Sequence, residues 1–395
     1  MPDIIHICYP GIGGQAAVAT GLALEGSRAG VSHGIIFYGV EPTAEQYLTL
    51  CEENNIAHKT IVKKPGVGLG ARQALSNAIQ GMAPKMVISH HHDTAISAAC
   101  SGMLKTSKVK PVNVFVEHHS NALKTQKDWV LGALAHRLTD HTVFLTEEYR
   151  KIVHARSEFL FKEDRTSVIG NGLELRLYPR RVISDFKYTV IGMQGRMDSG
   201  KDFESVIRAF ALLSQSADYD FMVKPLRLEL IGDGPDRTKL EALVQELKLT
   251  ELVSFTGFLS HQSLIKKMQT WHAAVLMTEG ETLSMAILEA WALQLPVIST
   301  RVSGVKELIN DHFDGLLVEP GDSEELAKNL TLVLNNNATA RRLGMSGRER
   351  VEQEFDRRKI WRSYLDLMNK LSTGSDSTPR GKAKKSHQLT SSYSP

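Results

Sequence analysis

Two glutamates separated by seven residues have a spacing that suits recognition of a phosphorylated sugar. Glu281 comes just before a predicted helix and Glu289 lies within it. Residues 282–284 fall at the helix start, where backbone N–H groups lack intrahelical acceptors and can bind an anion such as phosphate. Carboxylates beside this site can accept hydrogen bonds from sugar hydroxyls. The segment therefore predicts a sugar-nucleotide pocket, and an ordinary amphipathic helix with incidental glutamates is the alternative.

Two cations follow the first predicted strand of the second half of the chain. Arg196 and Lys201 lie in the loop at the carboxyl end of that strand. Two fixed positive charges suit a diphosphate whose negative charge grows as a glycosidic bond breaks. Isolated loop cations are usually solvated surface charges, but the position at a strand end favours a functional role here.

A glycine-rich turn follows the first predicted strand of the chain. It reads Gly11-Ile-Gly-Gly-Gln15 and precedes a predicted helix. Gly13 and Gly14 would let a ligand approach the backbone beside free N–H donors. Position 16 is Ala16, so this turn is not the dinucleotide-binding fingerprint. A tight strand-to-helix turn without a ligand is the alternative.

Histidines follow two further predicted strands of the first half. His118 and His119 end one strand, and a neutral imidazole can donate a hydrogen bond to a sugar hydroxyl. The segment Ser89–Asp93 contains three consecutive histidines and an aspartate, a composition that invites a metal site. Consecutive side chains of an extended segment point to opposite faces, so they cannot all converge on one ion. We therefore predict no metal site.

Together these segments resemble the retaining glycosyltransferases of family 4, which carry a Glu-x7-Glu signature. The resemblance covers about residues 1–371, is strongest over 190–321, and includes two segments after the signature, Ser303–Ile309 and Asp314–Gly321. The chain departs from the usual Glu-Gly-Phe-Gly, which is here Glu281-Thr-Leu-Ser284. Larger residues in place of both glycines narrow the sugar pocket or change its hydrogen bonding. In addition, Gly200 precedes Lys201 instead of following it.

The resemblance implies a role for each candidate residue. Glu289 would bind the ribose hydroxyls and Glu281 a hydroxyl of the donor sugar. His118, with His119 as the alternative, would lie close to the sugar being transferred. The implied catalytic residues are His118, Arg196, Lys201 and Glu281. The implied donor-binding residues are Gly13, Gly14, Gly257, Phe258, Thr282, Leu283, Ser284 and Glu289, of which Gly257 and Phe258 would contact the nucleotide base.

The elements that must position these residues alternate between short apolar runs and longer helical patterns. This alternation predicts βα units and parallel sheets, and thus an α/β fold with two doubly wound, Rossmann-like domains facing across a cleft. The resemblance names this arrangement GT-B. We predict an acceptor-side domain over 1–180, a nucleotide-sugar domain over 185–355, a helix over 356–371 that crosses back to the first domain, and a disordered basic tail over 372–395.

Composition and charge narrow the class of protein. The chain has 395 residues, no apolar run of about 18 residues, and three scattered cysteines, which together predict a cytoplasmic protein without a transmembrane helix. Its N-terminus lacks the basic region of a signal peptide. Residues 1–184 hold 20 basic and 16 acidic residues, against 23 and 27 in 185–371. A basic first domain suits an anionic membrane surface or a phosphorylated acceptor. Basic residues are not interleaved with aromatics, which argues against nucleic acid.

The resemblance implies a retaining glycosyltransferase that moves a sugar from a nucleotide-diphosphate donor to a glycan or lipid-linked glycan, in surface polysaccharide synthesis. No cofactor beyond the donor substrate is implied. The expected location is the cytoplasm, either free or peripheral on the inner face of the membrane. The sequence leaves the base, the sugar, the acceptor and the oligomeric state open. The alternatives are a sugar-nucleotide epimerase or sugar phosphorylase of similar fold, or a non-catalytic two-domain sugar-binding protein.

Overall fold

A computed structural model describes residues 1–11, 13–64, 69–103, 111–156, 162–180, 187–216 and 224–372. The predicted basic tail lies outside these ranges except for Ser372, which ends the last helix. Residues 181–186, around the boundary between the two predicted domains, also lie outside them. No helix in the described part of the chain is long and apolar enough to cross a membrane.

The first domain is built on a parallel sheet of seven strands in the order β3-β2-β1-β4-β5-β6-β7. The strands are β1 (Ile4–Cys8), β2 (His33–Gly39), β3 (Ala57–Val62), β4 (Met86–Ser89), β5 (Val112–Glu117), β6 (His141–Phe144) and β7 (Thr166–Val168). All residues of β1 are buried, because helices cover both faces of the sheet, as near-continuous apolar strands require. The strand order reverses between β1 and β4, which is the doubly wound pattern.

Six helices connect these strands. They are α1 (Gly14–Arg28), α2 (Glu45–Glu53), α3 (Leu69–Met82), α4 (His92–Met103), α5 (Gln126–Leu138) and α6 (Glu147–Arg156). The start of α5 is fixed by a capping box, in which the Thr125 hydroxyl accepts from the Asp128 amide and the Asp128 carboxylate accepts from the Thr125 amide. Because the sheet is parallel, the loops after β1, β4 and β5 open at one edge of it.

The second domain repeats the pattern with six parallel strands in the order β10-β9-β8-β11-β12-β13. The strands are β8 (Thr189–Gln194), β9 (Leu226–Ile231), β10 (Val253–Gly257), β11 (Ala273–Leu276), β12 (Val297–Thr300) and β13 (Leu316–Val318). The helices are α7 (Phe203–Gln215), α8 (Arg237–Glu246), α9 (His261–Met268), α10 (Met285–Ala292), α11 (Val305–Leu308), α12 (Ser323–Asn335) and α13 (Asn337–Glu354). The main hydrophobic core includes the central strands of this sheet and Trp271 and Trp291, both buried.

The last helix, α14 (Arg357–Ser372), packs against α1 of the first domain. Two glycines of α1 make this close approach possible. A Cβ atom on Gly21 would lie 2.8 Å from Cζ of Arg357, and one on Gly26 would lie 2.8 Å from the Trp361 ring. Arg357 also pairs with Glu174 of the first domain, 3.0 Å away. The last helix is therefore held to the first domain by packing and by a partly buried ion pair.

The predicted fold class is confirmed: both domains are doubly wound α/β units with parallel sheets. One local prediction is wrong in detail. The signature helix begins at Met285 with Ser284 as its N-cap, so residues 282–284 form the loop and cap before the helix and not its first turn. The expected extended segment over 89–93 is also interrupted, since α4 already begins at His92.

Candidate active site

A large cleft, of about 1700 Å³, lies between the carboxyl ends of the two sheets. Both domains line it, which places ligand groups from distant parts of the chain within one cavity. The predicted residues that line it are Gly13, Gly14, His118, Arg196, Lys201, Phe258, Glu281, Thr282, Leu283, Ser284 and Glu289.

Gly13 and Gly14 lie at the start of α1, after β1, and line the cleft on the side of the first domain. Gly13 is the N-cap of α1 and its φ of 169° is an extended value that any residue can adopt. A Cβ atom added to either glycine would meet no protein atom within 4 Å. Neither backbone strain nor protein packing therefore requires glycine here. The empty space beside the start of α1 is what close approach of an anionic ligand to free amides would need.

His118 follows β5 and lines the cleft, whereas its neighbour His119 does not. His118 Nε2 lies 2.9 Å from Nδ1 of His90. Burial lowers the pKa of His118 to about 4, although the Glu117 carboxylate acts in the opposite direction. The side chain is therefore a neutral imidazole at pH 7, able to form hydrogen bonds without carrying charge.

The two predicted cations differ in their surroundings. Arg196 is 71% exposed and pairs with Asp198 at 3.1 Å. Lys201 is only 21% exposed, and its ammonium group forms an ion pair with Glu281. Burial lowers the pKa of Lys201 to about 8, against the opposing effect of Asp198. The cleft thus contains one exposed cation and one largely buried cation with a lowered pKa.

The three residues after Glu281 have defined contacts. The Thr282 hydroxyl donates a hydrogen bond to the His118 carbonyl oxygen, 3.1 Å away in the first domain. The Ser284 hydroxyl caps α10 by accepting from the Ile287 amide at 3.5 Å. Leu283 is buried against Gly170 of the first domain. The three side chains therefore pack within the cleft wall. The groups of these residues that could bind a ligand are their backbone amides.

Glu289 projects from α10 into the cleft and is 13% exposed. Its Oε2 accepts from the Gln194 amide at 2.7 Å, and its Oε1 accepts from the Tyr178 hydroxyl at 3.1 Å. His261 Nε2 lies 3.4 Å from Oε1. A carboxylate has about four lone-pair positions, so acceptor capacity remains for a ligand. The three partners fix the carboxylate in one orientation.

Gly257 ends β10 and Phe258 follows it, but only Phe258 lines the cleft, where it is 59% exposed. An aromatic ring left this exposed at a cavity wall suits stacking against a planar group. Gly257 adopts a φ of +74°, and its carbonyl accepts from the Gly232 amide at 3.0 Å. A left-handed backbone explains the glycine without a ligand, and the cleft does not include it.

The consecutive histidines 90–92 turn toward different partners. His90 contacts His118, and His91 Nδ1 accepts from the Asp93 amide at 3.2 Å. His92 lies near His119 and Asp128. One ring nitrogen of each histidine and one carboxylate oxygen of Asp128 lie within 4.8 Å of one another. None of these three side chains lines the cleft.

Several site residues carry no sequence motif. Tyr178, Gln194 and His261 hold Glu289, although they lie in three separate segments. Outside the cleft, Glu307 links the domains, because its carboxylate accepts from the Glu147 and Glu148 amides at the start of α6, at 3.0 and 3.1 Å. An anion at a helix N-terminus is favourable. Only the position of Gln194 at the end of a predicted strand could have indicated its role.

Comparison with known proteins agrees with this geometry. Residues 179–350 match the family model described as glycosyl transferases group 1. N-acetyl-alpha-D-glucosaminyl L-malate synthase of Bacillus anthracis is 23% identical over 380 residues, which cover 90% of this chain and 94% of that protein. The lipopolysaccharide core biosynthesis glycosyltransferase LpsD of Rhizobium meliloti (strain 1021) is 31% identical over 208 residues, which cover 51% of this chain and 57% of LpsD.

Solved structures resemble the whole described fold. Anabaena HepE in complex with UDP and glucose superposes with a TM-score of 0.76 at 18% identity, over 93% of this chain and 100% of HepE. Sucrose-phosphate synthase of Thermosynechococcus elongatus gives 0.76 at 19% identity, over 95% and 100%. The fold is therefore GT-B. Residues 179–350 are thus similar to glycosyl transferases group 1, within a chain of GT-B fold.

Proposed function

We propose that this protein is a retaining glycosyltransferase that moves a sugar from a nucleotide-diphosphate donor to a glycan or lipid-linked glycan. The observation that carries the proposal is the convergence of three kinds of group on one cleft: open glycines at a helix start, two cations, and two carboxylates. A diphosphate needs the first two kinds of group, and sugar hydroxyls need the third.

The second domain would hold the nucleotide. Glu289, fixed by Tyr178 and Gln194, would accept hydrogen bonds from the ribose hydroxyls. The exposed ring of Phe258 would stack on the base. UDP sugars are the donors to test first, since the similarly folded HepE binds UDP in its solved complex.

The leaving diphosphate would be stabilised by protein groups. Lys201 and Arg196 supply positive charge, and the amides of 282–284 and of Gly14 supply N–H donors at two helix starts. In the free protein Lys201 is paired with Glu281. Donor binding would replace this carboxylate with phosphate oxygens around Lys201, which frees Glu281 to accept from a hydroxyl of the donor sugar.

Retention would arise by attack on the face of the sugar from which the diphosphate leaves. The acceptor oxygen would bond to the anomeric carbon as the bond from that carbon to the diphosphate oxygen breaks. The acceptor proton would pass to the departing diphosphate. His118, a neutral imidazole on the first-domain side of the cleft, would hydrogen-bond the transferred sugar.

The acceptor would bind on the first-domain side. Relatives such as LpsD act in lipopolysaccharide core biosynthesis, which favours surface polysaccharide assembly as the setting. We propose a cytoplasmic enzyme, peripheral on the inner face of the membrane through its basic first domain and its basic C-terminal residues.

A screen of nucleotide sugars by thermal shift tests the proposal first. A donor at 100 times its Kd should stabilise the protein by about 2.7 kcal/mol through mass action. The matched variant Glu289→Gln should lose most of this shift. A donor that binds is then incubated with glycan acceptors, and NMR of the product should show the anomeric configuration of the donor.

The reaction products distinguish the proposed transferase from the alternatives. Conversion of the sugar nucleotide into its epimer without an acceptor would identify an epimerase, and phosphate-dependent release of a sugar phosphate would identify a phosphorylase. An inverted product would contradict retention. Binding without turnover on any acceptor tried, with unchanged donor, would favour a sugar-binding protein.

A further inference from the structure

Four histidines from four separate segments form a continuous hydrogen-bonded row through the first domain. They are His33 at the start of β2, His6 in the middle of β1, His90 after β4 and His118 after β5. The contacts are His33 Nδ1 to His6 Nε2 at 3.2 Å, His6 Nδ1 to His90 Nε2 at 3.1 Å, and His90 Nδ1 to His118 Nε2 at 2.9 Å. We call these residues the histidine row.

The rings of the histidine row meet edge to edge. Successive ring centroids are 5.1 to 5.5 Å apart, with interplanar angles of 18° to 29°. These centroid distances are close to the nitrogen separations plus the radii of the two rings, so each contacting nitrogen lies nearly in the plane of the next ring. His6, His33 and His90 are buried. Space for His33 is left by Gly26 of α1, where a Cβ atom would lie 2.0 Å from His33 Nε2. The row is therefore a fixed internal structure that ends at the cleft.

Burial keeps the row uncharged. It lowers the pKa of His33 to about 4 and holds the pKa values of His6 and His90 well below their ordinary range. Each neutral imidazole carries one N–H and one acceptor nitrogen. Every contact in the row joins an Nδ1 to an Nε2, and each contact needs one proton.

This pattern permits only two arrangements of protons. Four neutral rings carry four protons and three contacts use three, so the fourth sits at one end of the row. If it sits on His118 Nδ1, all four rings have their proton on Nδ1. If it sits on His33 Nε2, all four have it on Nε2. If the row contained both tautomers, one contact would hold two protons or none.

The buried end of the row favours the first arrangement. His33 Nε2 has no hydrogen-bond partner, and the adjacent Trp361 ring, 5.1 Å away between centroids, has a buried indole N–H that also lacks an acceptor. An indole nitrogen can only donate. A proton on His33 Nε2 would therefore bury a second unpaired donor beside the first, whereas a bare Nε2 leaves an acceptor there. In folded proteins, buried N–H groups of the backbone are left unpaired more rarely than buried acceptors are.

We propose that His33, His6 and His90 are positioning residues that hold His118 in the tautomer with its proton on Nδ1. His118 then offers a hydrogen-bond donor to a ligand in the cleft. The identity of the ligand atom, an oxygen of the transferred sugar, rests on the function proposed above, but the tautomer does not. An isolated neutral histidine prefers its proton on Nε2, so the arrangement is a measurable property that the row imposes.

The test is a long-range ¹H–¹⁵N correlation spectrum of the full-length protein, labelled with ¹⁵N-histidine, at pH 7 without ligand. The signals of His118 are those lost in His118→Asn. The ¹⁵N shifts distinguish a protonated Nδ1 from a protonated Nε2. We expect a protonated Nδ1 and an unprotonated Nε2 on His118. A protonated Nε2, or rapid averaging of both tautomers, would overturn the proposal, and this measurement needs no variant of the row.

Cutting the row separates positioning from simple structural support. His6→Leu removes two of the three contacts, so we expect His118 to shift toward a mixture of tautomers. The matched control His58→Gln alters a partly exposed histidine of the edge strand β3 and should leave the His118 signals unchanged. Unchanged His118 signals in folded His6→Leu would contradict the proposal.

Activity gives a second readout once a donor is known. In His6→Leu we expect kcat/KM to fall about fivefold to tenfold, as for loss of one neutral hydrogen bond, while nucleotide affinity stays within twofold. An unchanged kcat/KM would overturn the link between tautomer and ligand. If no donor is turned over, the proposed function fails while the tautomer result stands, so the two failures are distinguishable.

Discussion

The Thr282 hydroxyl donates a hydrogen bond to the His118 carbonyl oxygen across the domain boundary, 3.1 Å away. Thr282 follows Glu281 directly, and His118 is the cleft end of the histidine row. The contact therefore ties the donor side of the cleft to the residue proposed to contact the transferred sugar. Glycine at this position, as in the Glu-Gly-Phe-Gly pattern that the sequence resembles, could not make this interdomain hydrogen bond.

Removing this hydrogen bond should loosen the cleft slightly. We expect Thr282→Ala to reduce the free energy of unfolding by about 0.5–1.5 kcal/mol, the net value of one neutral hydrogen bond. Thermal unfolding of the ligand-free protein measures the effect. Thr282→Ser keeps the hydroxyl and is the control. Equal stability of Thr282→Ala and wild type would show that the bond contributes nothing.

Glu289 should govern nucleotide affinity more than sugar choice. We expect Glu289→Ala to weaken binding of the free nucleoside diphosphate by about 1.5–3 kcal/mol, the range for hydrogen bonds to a charged group. Calorimetry measures the affinity, and Glu246→Ala at the exposed end of α8 is the control. Unchanged affinity in Glu289→Ala would remove it from the ribose role.

Diphosphate binding should weaken at alkaline pH. The pKa of Lys201 in the free cleft is about 8, so below pH 8 the cation is present and above it the side chain becomes neutral. The affinity should therefore be highest below pH 8 and fall by up to about tenfold per pH unit above it, until the pKa of the bound state is reached.

The control for this pH dependence is Lys201→Arg, whose charge persists across the range. Its affinity should change little between pH 7.5 and 9.5, whatever its absolute value. Calorimetry with the nucleoside diphosphate gives both curves. A flat curve for the wild type over this range would show that Lys201 does not supply the charge.

Activity should not require a metal ion. Arg196, Lys201 and two helix starts already place positive potential in the cleft, and the group formed by His92, His119 and Asp128 does not line it. We expect the transfer rate in excess chelator to equal the untreated rate. Loss of activity that magnesium or manganese restores would contradict this expectation.

The sequence predicts the architecture well where burial dictates pattern. The apolar runs Ile4–Cys8 and Leu226–Ile231 each predict a buried strand from the sequence alone, and the structure has strands with these bounds. The edge strand Ala57–Val62 is missed, because its mostly exposed residues give it no apolar run. The polar helix Asn337–Glu354 is missed for a similar reason, since few of its residues are buried.

The candidate site is predicted less completely than the fold. Motifs identify Glu281 and Glu289 at and within a helix and Arg196 and Lys201 after a strand, and the structure brings them to one cleft. They do not indicate that Glu281 pairs with Lys201 in the free protein, because pairing depends on side-chain geometry across 80 residues. The histidine row is equally hidden, although a histidine inside the buried strand Ile4–Cys8 must have a polar partner.

The contrast between the two cations has a kinetic consequence. Lys201 is already neutralised by Glu281 in the free cleft, so it adds little to the long-range attraction of an anion, whereas Arg196 is 71% exposed and its surface pair with Asp198 is weak. Arg196 should therefore govern how fast a diphosphate arrives, and Lys201 how long it stays. Association should slow as ionic strength rises, while the residence time of the nucleotide depends on an exchange of partners inside the cleft.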